Sequence, residues 1–151
     1  MSRVREIRRL EASVEAAFAL AADATRLPEW SPLFLEVRDA EGVLDRAGVA
    51  FGCAMNIAGL RLECAAAVTE VRSPTFLRIG AAWPGGGFDW TRSYQAAGTG
   101  TLVIDEMQLR LPEDMITETD RPSVEGAIER DIGLGLDNFC AAVEREVTQP
   151  A

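Results

Sequence analysis

The sequence predicts an α+β fold in which a curved antiparallel sheet is covered on one face by a single long C-terminal helix. Three observations carry that prediction. Strand-like runs follow one another with turn residues between them. Folded as successive hairpins, these runs gather their apolar residues on one face. The last segment, from Arg121 onward, repeats its apolar residues at helical spacing instead.

Each element has a local reason. Residues 4–11 read as a first strand. Ser13 then offers an N-cap for a helix through Ala22, with Glu15 in the first turn favouring the helix dipole. Residues 23–30 read as a second short helix, closed by Ser31-Pro32. Six further strands are expected at 33–40, 48–57, 60–71, 75–83, 88–96 and 101–111. The last five are separated by Ala58-Gly59, Ser73-Pro74, the run 84–87 and Gly98-Thr99-Gly100. Pro122 or Ser123 starts the final helix, which runs to about Val147.

Hairpin register makes the face assignment testable. Phe51, Cys53 and Met55 should lie opposite Ala66, Cys64 and Leu62. Leu77, Ile79, Ala81 and Trp83 should follow across the next turn, beside Val68, Ala66, Cys64 and Leu62 in that order. Tyr94, Arg92, Trp90 and Phe88 come next beside those four, and then Val103, Asp105, Met107 and Leu109. Only Arg92 and Asp105 are charged on this face. The other face carries Arg61, Glu63, Arg78, Asp89 and Glu106, as a sheet wet on one side requires. On the final helix, Val124, Ile128, Ile132, Gly135, Phe139 and Val143 form one apolar stripe. Gly133 is expected on the opposite side. Gly135 lies mid-stripe, where a missing side chain either widens a pocket or permits close packing.

Composition excludes several functions. The chain has 151 residues, 48% hydrophobic and 26% charged, which suits one domain over residues 1–151. Its formal net charge of -9 and pI near 4.5 oppose binding to nucleic acid or to an anionic membrane. All 15 basic residues are arginine, so Schiff-base lysines, histidine bases and histidine metal ligands are absent. Cys53, Cys64 and Cys140 match no zinc spacing, and no metal or cofactor is expected. No signal-peptide core follows the basic start, and no apolar run is long enough to insert in a membrane. A cytoplasmic location is therefore expected, with the oligomeric state, including a homodimer, left open.

The segment from Ser13 to Phe18, followed by Asp23-Ala24-Thr25-Arg26-Leu27-Pro28-Glu29-Trp30-Ser31-Pro32, resembles the opening of START-like (Bet v 1-like, SRPBCC) proteins of the polyketide cyclase/dehydrase branch. Gly59-Leu60 before a long strand, Val68-Thr69-Glu70-Val71 with Pro74, and Tyr94 followed by Gly100-Thr101 extend the likeness in order along the chain. The resemblance implies a helix-grip fold: a seven-stranded antiparallel sheet around a long C-terminal helix, with two short helices after the first strand. It also implies a cavity for a small hydrophobic molecule. Such folds host cyclases, carriers and sensors alike, so the site must decide.

Arg92 and Asp105 are the leading candidates for chemistry, because two charges on an apolar face are costly unless paired. One reading is an ion pair that fixes register. The other gives Arg92 a ligand oxygen to hold, with Asp105 orienting it or removing a proton. Tyr94, the only tyrosine, has a hydroxyl that can donate to the same oxygen or simply pack in the core. Phe51, Met55, Leu62, Cys64, Ile79, Trp83, Phe88, Trp90 and Met107 are the expected apolar lining, with residues 84–87 as a lip. Asp131 and Gly135 are the helix's candidates, and Trp30 is read as anchoring the short helix. The expected function is binding of an oxygenated aromatic or polyketide-like molecule, with or without its cyclisation or dehydration. A carrier or sensor, or an interaction module with a vestigial cavity, is the alternative.

Overall fold

The computed structural model describes residues 2–112, 116–117 and 120–148. Strand β1 (Ser2–Leu10) leads into helix α1 (Val14–Ala21), a 3-10 turn (Ala24–Arg26) and the one-turn helix α2 (Leu27–Trp30). The strands β2 (Phe34–Arg38), β3 (Ala50–Ile57), β4 (Leu60–Arg72), β5 (Phe76–Trp83), β6 (Gly86–Ala97) and β7 (Gly100–Arg110) follow, and helix α3 (Arg121–Thr148) comes last. All seven strands form one antiparallel sheet in the order β1-β7-β6-β5-β4-β3-β2. Ser13 caps α1 by accepting from the Ala16 N–H at 3.1 Å, and Asp23 accepts from the Thr25 N–H to start the 3-10 turn.

The face pattern holds throughout the meander. Phe51, Leu62, Ile79, Trp90 and Met107 are buried with nearly all their same-face neighbours on β3 to β7; the exceptions include Ala81 and Leu60, half-buried, and Ala96, near the turn, exposed. Arg61, Glu63 and Thr69 lie exposed on the reverse. A β-sheet wet on one side and covered on the other is stabilised mainly by that burial.

Register departs from expectation at two turns. β3 pairs with β4 as expected, with Cys53 opposite Cys64, and β6 pairs with β7 as expected, with Arg92 opposite Asp105. Between β4 and β5, however, Val68 faces Ile79 and Ala66 faces Ala81, one pair away from the expected alignment. Arg72 pairs with Phe76 across the loop Ser73-Pro74-Thr75, and a bulge at Thr69 takes back one residue, so the net shift is two residues and the side-chain faces are kept. Between β5 and β6 the loop is only Pro84-Gly85, with Gly85 at φ +85°, so Trp83 pairs with Gly86. Proline followed by a left-handed glycine is the requirement of a type II turn. Residues 86 and 87 are therefore strand and not lip. A Cβ at Gly86 would stand 1.8 Å from the Arg110 carbonyl oxygen, and one at Gly87 would stand 2.3 Å from that of Ala81. Glycine is there because backbones approach closely.

Helix α3 lies over the apolar face with Ile128, Ile132, Leu136, Phe139, Cys140 and Val143 buried. Gly133, expected on the wet side, is buried against the Arg8 side chain of β1. The question posed by Gly135 resolves toward close packing. A Cβ there would meet Pro32 Cδ at 3.2 Å and Ser31 Cα at 3.5 Å, so the glycine lets α3 seat against the corner between α2 and β2.

Candidate functional site

β6 and β7 set Arg92 directly opposite Asp105, both under the helix at 3% and 2% exposure. Both oxygens of the Asp105 carboxylate accept a hydrogen bond. Oδ2 accepts from Arg92 Nη2, and Oδ1 accepts from Trp90 Nε1. Arg92 is only partly engaged. Among the described residues its Nε and Nη1 have no partner, and neither does the Tyr94 hydroxyl two residues along the strand. Buried donors in proteins are overwhelmingly paired, so this group of orphans stands out.

Aromatic rings surround the guanidinium. Its carbon lies 4.6 Å from the Phe139 ring centroid, 4.7 Å from that of Trp30 and 5.0 Å from that of Trp90. Cation–π attraction in a desolvated setting helps hold the charge there. Burial alone would pull the Arg92 pKa down; Asp105 opposes this, and the net shift is upward. Burial likewise pushes the Tyr94 phenol up, keeping it protonated as a donor.

Interior space is found beside Arg92. Two cavities adjoin it, each with about 10 Å³ of room, which is about what one water needs. Ile79 and Leu77 border the first, and Asp105, Met107, Ile132 and Gly135 border the second. Trp30, Trp90 and Arg92 border both. Of the sequence-selected residues, Arg92, Asp105, Ile79, Trp90, Met107 and Gly135 thus come together here. Phe51, Met55, Leu62, Cys64 and Trp83 are buried in the surrounding core without bordering either cavity. Phe88 lies in the same core, edge-to-face with Phe34 and Trp90 and tilted against Trp83. Asp131 sits half-buried on α3, away from both cavities. Trp30, read from sequence as an anchor for the short helix, is the residue of the helical side that reaches both.

All three cysteines are buried, and the contact between two of them shifts their thiols in opposite directions, drawing Cys64 down while burial opposes it. Cys53 Sγ lies 3.1 Å from Cys64 Sγ, and that contact, followed by burial, pushes the Cys53 thiol up. Burial raises Cys140 to about 11. A neutral thiol is a poor nucleophile. No group of three or more metal-ligating side chains occurs among the described residues.

The long α3 gripped by a seven-stranded curved sheet defines the helix-grip class of START-like and Bet v 1-like proteins. Solved structures agree. The protein TTHA0849 from Thermus thermophilus superposes with a TM-score of 0.78 at 16% identity, over 95% of this chain and 98% of that one. A START superfamily protein from Mycobacterium smegmatis gives 0.70 at 15% identity, over 96% and 99%. The di-domain ARO/CYC StfQ of the steffimycin biosynthetic pathway gives 0.74 at 11% identity, over 97% of this chain and 52% of that one. At such identities the likeness carries the fold. No curated protein matches by sequence. The chain belongs to the polyketide cyclase/dehydrase and lipid transport family, whose profile matches residues 1–144. No helix among the described residues is long and apolar enough to cross a membrane.

Proposed function

We propose that this protein binds a small hydrophobic molecule, aromatic or polyketide-like, in the interior between the sheet and α3, and that Arg92 holds an oxygen of it. The observation that carries the reading is the pair of unpartnered donors on Arg92, Nε and Nη1, deep in an apolar interior. A ligand carbonyl, phenolate or carboxylate satisfies them, with the Tyr94 hydroxyl as a nearby third donor. A largely filled interior, taken alone, would fit an interaction module with a vestigial cavity. The orphaned donors on Arg92 weigh against that, because they belong to a buried charged group that borders both cavities.

The donor set also bears on catalysis. Both Asp105 oxygens already accept hydrogen bonds, and burial keeps Tyr94 protonated. The site therefore offers hydrogen bonds to an oxygen, and its carboxylate, Asp105, is already held by two donors. Such a site suits a carrier or sensor. Cyclisation or dehydration remains the second reading, favoured by the family to which the chain belongs: Arg92 would stabilise developing oxyanion charge, and the proton would have to leave to the ligand itself or to solvent.

Calorimetric titration with 2-naphthoate and with naphthalene tests the reading. The carboxylate should bind at least ~10-fold more tightly than the hydrocarbon, an increment typical of a charge-assisted hydrogen bond. In the paired variant Arg92→Met with Asp105→Leu, which leaves no lone buried charge, that preference should vanish while naphthalene still binds. Equal preference in the parent and the paired variant would remove Arg92 from the site.

A further inference from the structure

The two cavities beside Arg92 are too small for any ring system, so something must give way if a ligand is to enter. We infer that the Trp30 indole is the stopper of this site: it fills the seat of a planar aromatic ligand and swings aside when that ligand binds. This deepens the binding reading and rests on it.

Four observations point to Trp30. Three residues border both cavities, and two of them, Trp90 and Arg92, belong to β6 in the sheet floor. Trp30 is the third and the only one of the three that comes from the helical side, so it meets both cavities from across the sheet. That ring lies 4.7 Å from the guanidinium carbon of Arg92, in stacking position, and 5.0 Å and 6.0 Å from the rings of Phe139 and Trp90. An aromatic group from the chain itself already occupies the place where an aromatic ligand would gain most. The indole Nε1 is buried and unpartnered, so the ring gives up no hydrogen bond on leaving and can gain one in water. Finally, Trp30 ends a helix of four residues, while most of the other walls stand on the long strands β5 to β7 and on α3. Its backbone is tethered, because its carbonyl oxygen accepts from Asn138 Nδ2 at 3.2 Å. The motion is therefore a rotation of the side chain about a fixed backbone, with α2 staying in place. Once the indole has left, the two cavities join across the face of Arg92, and a planar ring takes its seat there.

Two experiments test this together. Trp30→Ala should open an apolar cavity larger than those that bind benzene in other proteins, and free indole should occupy it. Indole should bind this variant at least ten-fold more tightly than it binds the parent and should raise the variant's Tm. The second experiment needs no variant. In the parent labelled with ¹⁵N, titration with 2-naphthoate should shift the Trp30 indole N–H resonance toward its solvated position and speed its hydrogen exchange, while the Trp83 resonance moves little. Naphthoate binding with an unmoved Trp30 signal would overturn the stopper and leave the binding reading intact. So would a folded Trp30→Ala or Trp30→Leu that gains no affinity for indole. Failure of the parent to bind naphthoate at all would overturn the binding reading, and the stopper with it.

Discussion

The same sheet carries two arginine–aspartate pairs on its two faces, and they differ in what they leave undone. Arg78 on β5 and Asp89 on β6 meet on the wet face, with side chains 43% and 34% exposed. Their contact is bidentate: Nε donates to Oδ1 at 2.8 Å and Nη2 donates to Oδ2, which closes both groups upon each other. Arg92 and Asp105, under the helix, are joined through Nη2 alone, and the second carboxylate oxygen is taken by Trp90. The exposed pair is geometrically complete and, like most such pairs, contributes little. The buried pair lies where every unmade hydrogen bond is expensive, yet it leaves two guanidinium donors idle. The outer pair is complete and the inner one keeps spare donors, which under the proposed function are the ones a ligand oxygen would take.

The comparison breaks most visibly at Arg92. Arg92→Leu should destabilise the protein by about 3–5 kcal/mol in urea unfolding, because Asp105 is left buried with one neutral donor. Adding Asp105→Leu should recover most of the loss, since replacing a whole buried pair by apolar residues is often neutral. A single variant as stable as the parent would mean that the pair is not desolvated as described.

Tyr94 sharpens the picture at intermediate size. Its hydroxyl is buried without a partner, so Tyr94→Phe should change stability at neutral pH by less than about 1 kcal/mol. The difference should appear in alkali. A phenol whose folded pKa is raised above its unfolded value, near 10, stabilises the fold below that value, and this contribution fades as pH rises through the folded pKa. The parent should therefore lose stability above about pH 10, and Tyr94→Phe should lose less. Parallel pH profiles for the two proteins would place the hydroxyl in contact with water.

The smallest effect belongs to the wet face. Arg78→Ala should shift stability by no more than about 1 kcal/mol, and the shift should shrink in high salt. A loss as large as that of Arg92→Leu would erase the contrast between the two faces.

How much of this was legible in sequence follows from what each feature depends on. Strand faces depend on period-two alternation, which is local, and Phe51 through Met107 fell on one side accordingly. The Arg92–Asp105 pairing was legible because the turn at Gly98-Thr99 fixes β6 against β7 and because two charges stood out on an apolar face. The neighbouring registers slipped by one pair where the chain economises. Thr69 bulges out, and Pro84-Gly85 makes a complete turn that leaves Gly86 and Gly87 to the strand. Neither bulge position nor minimal loop length has a unique local signal. Trp30 was harder still. It ends a single helical turn, and where its ring points is decided by Arg92, Phe139 and the seat that Gly135 makes for Pro32, all distant in sequence. A tryptophan between Leu-Pro-Glu and Ser-Pro is the one hint the chain offers. The size of the interior space depends on side-chain packing throughout and was not legible at all.

The central claim concerns the idle donors of Arg92, and its most direct test is the ¹H–¹⁵N resonance of the Arg92 Nε–H during addition of 2-naphthoate and, separately, of naphthalene. The account predicts a marked downfield proton shift and slowed exchange with the carboxylate and little change with the hydrocarbon. A bound carboxylate that leaves the Arg92 Nε–H where it was would contradict it.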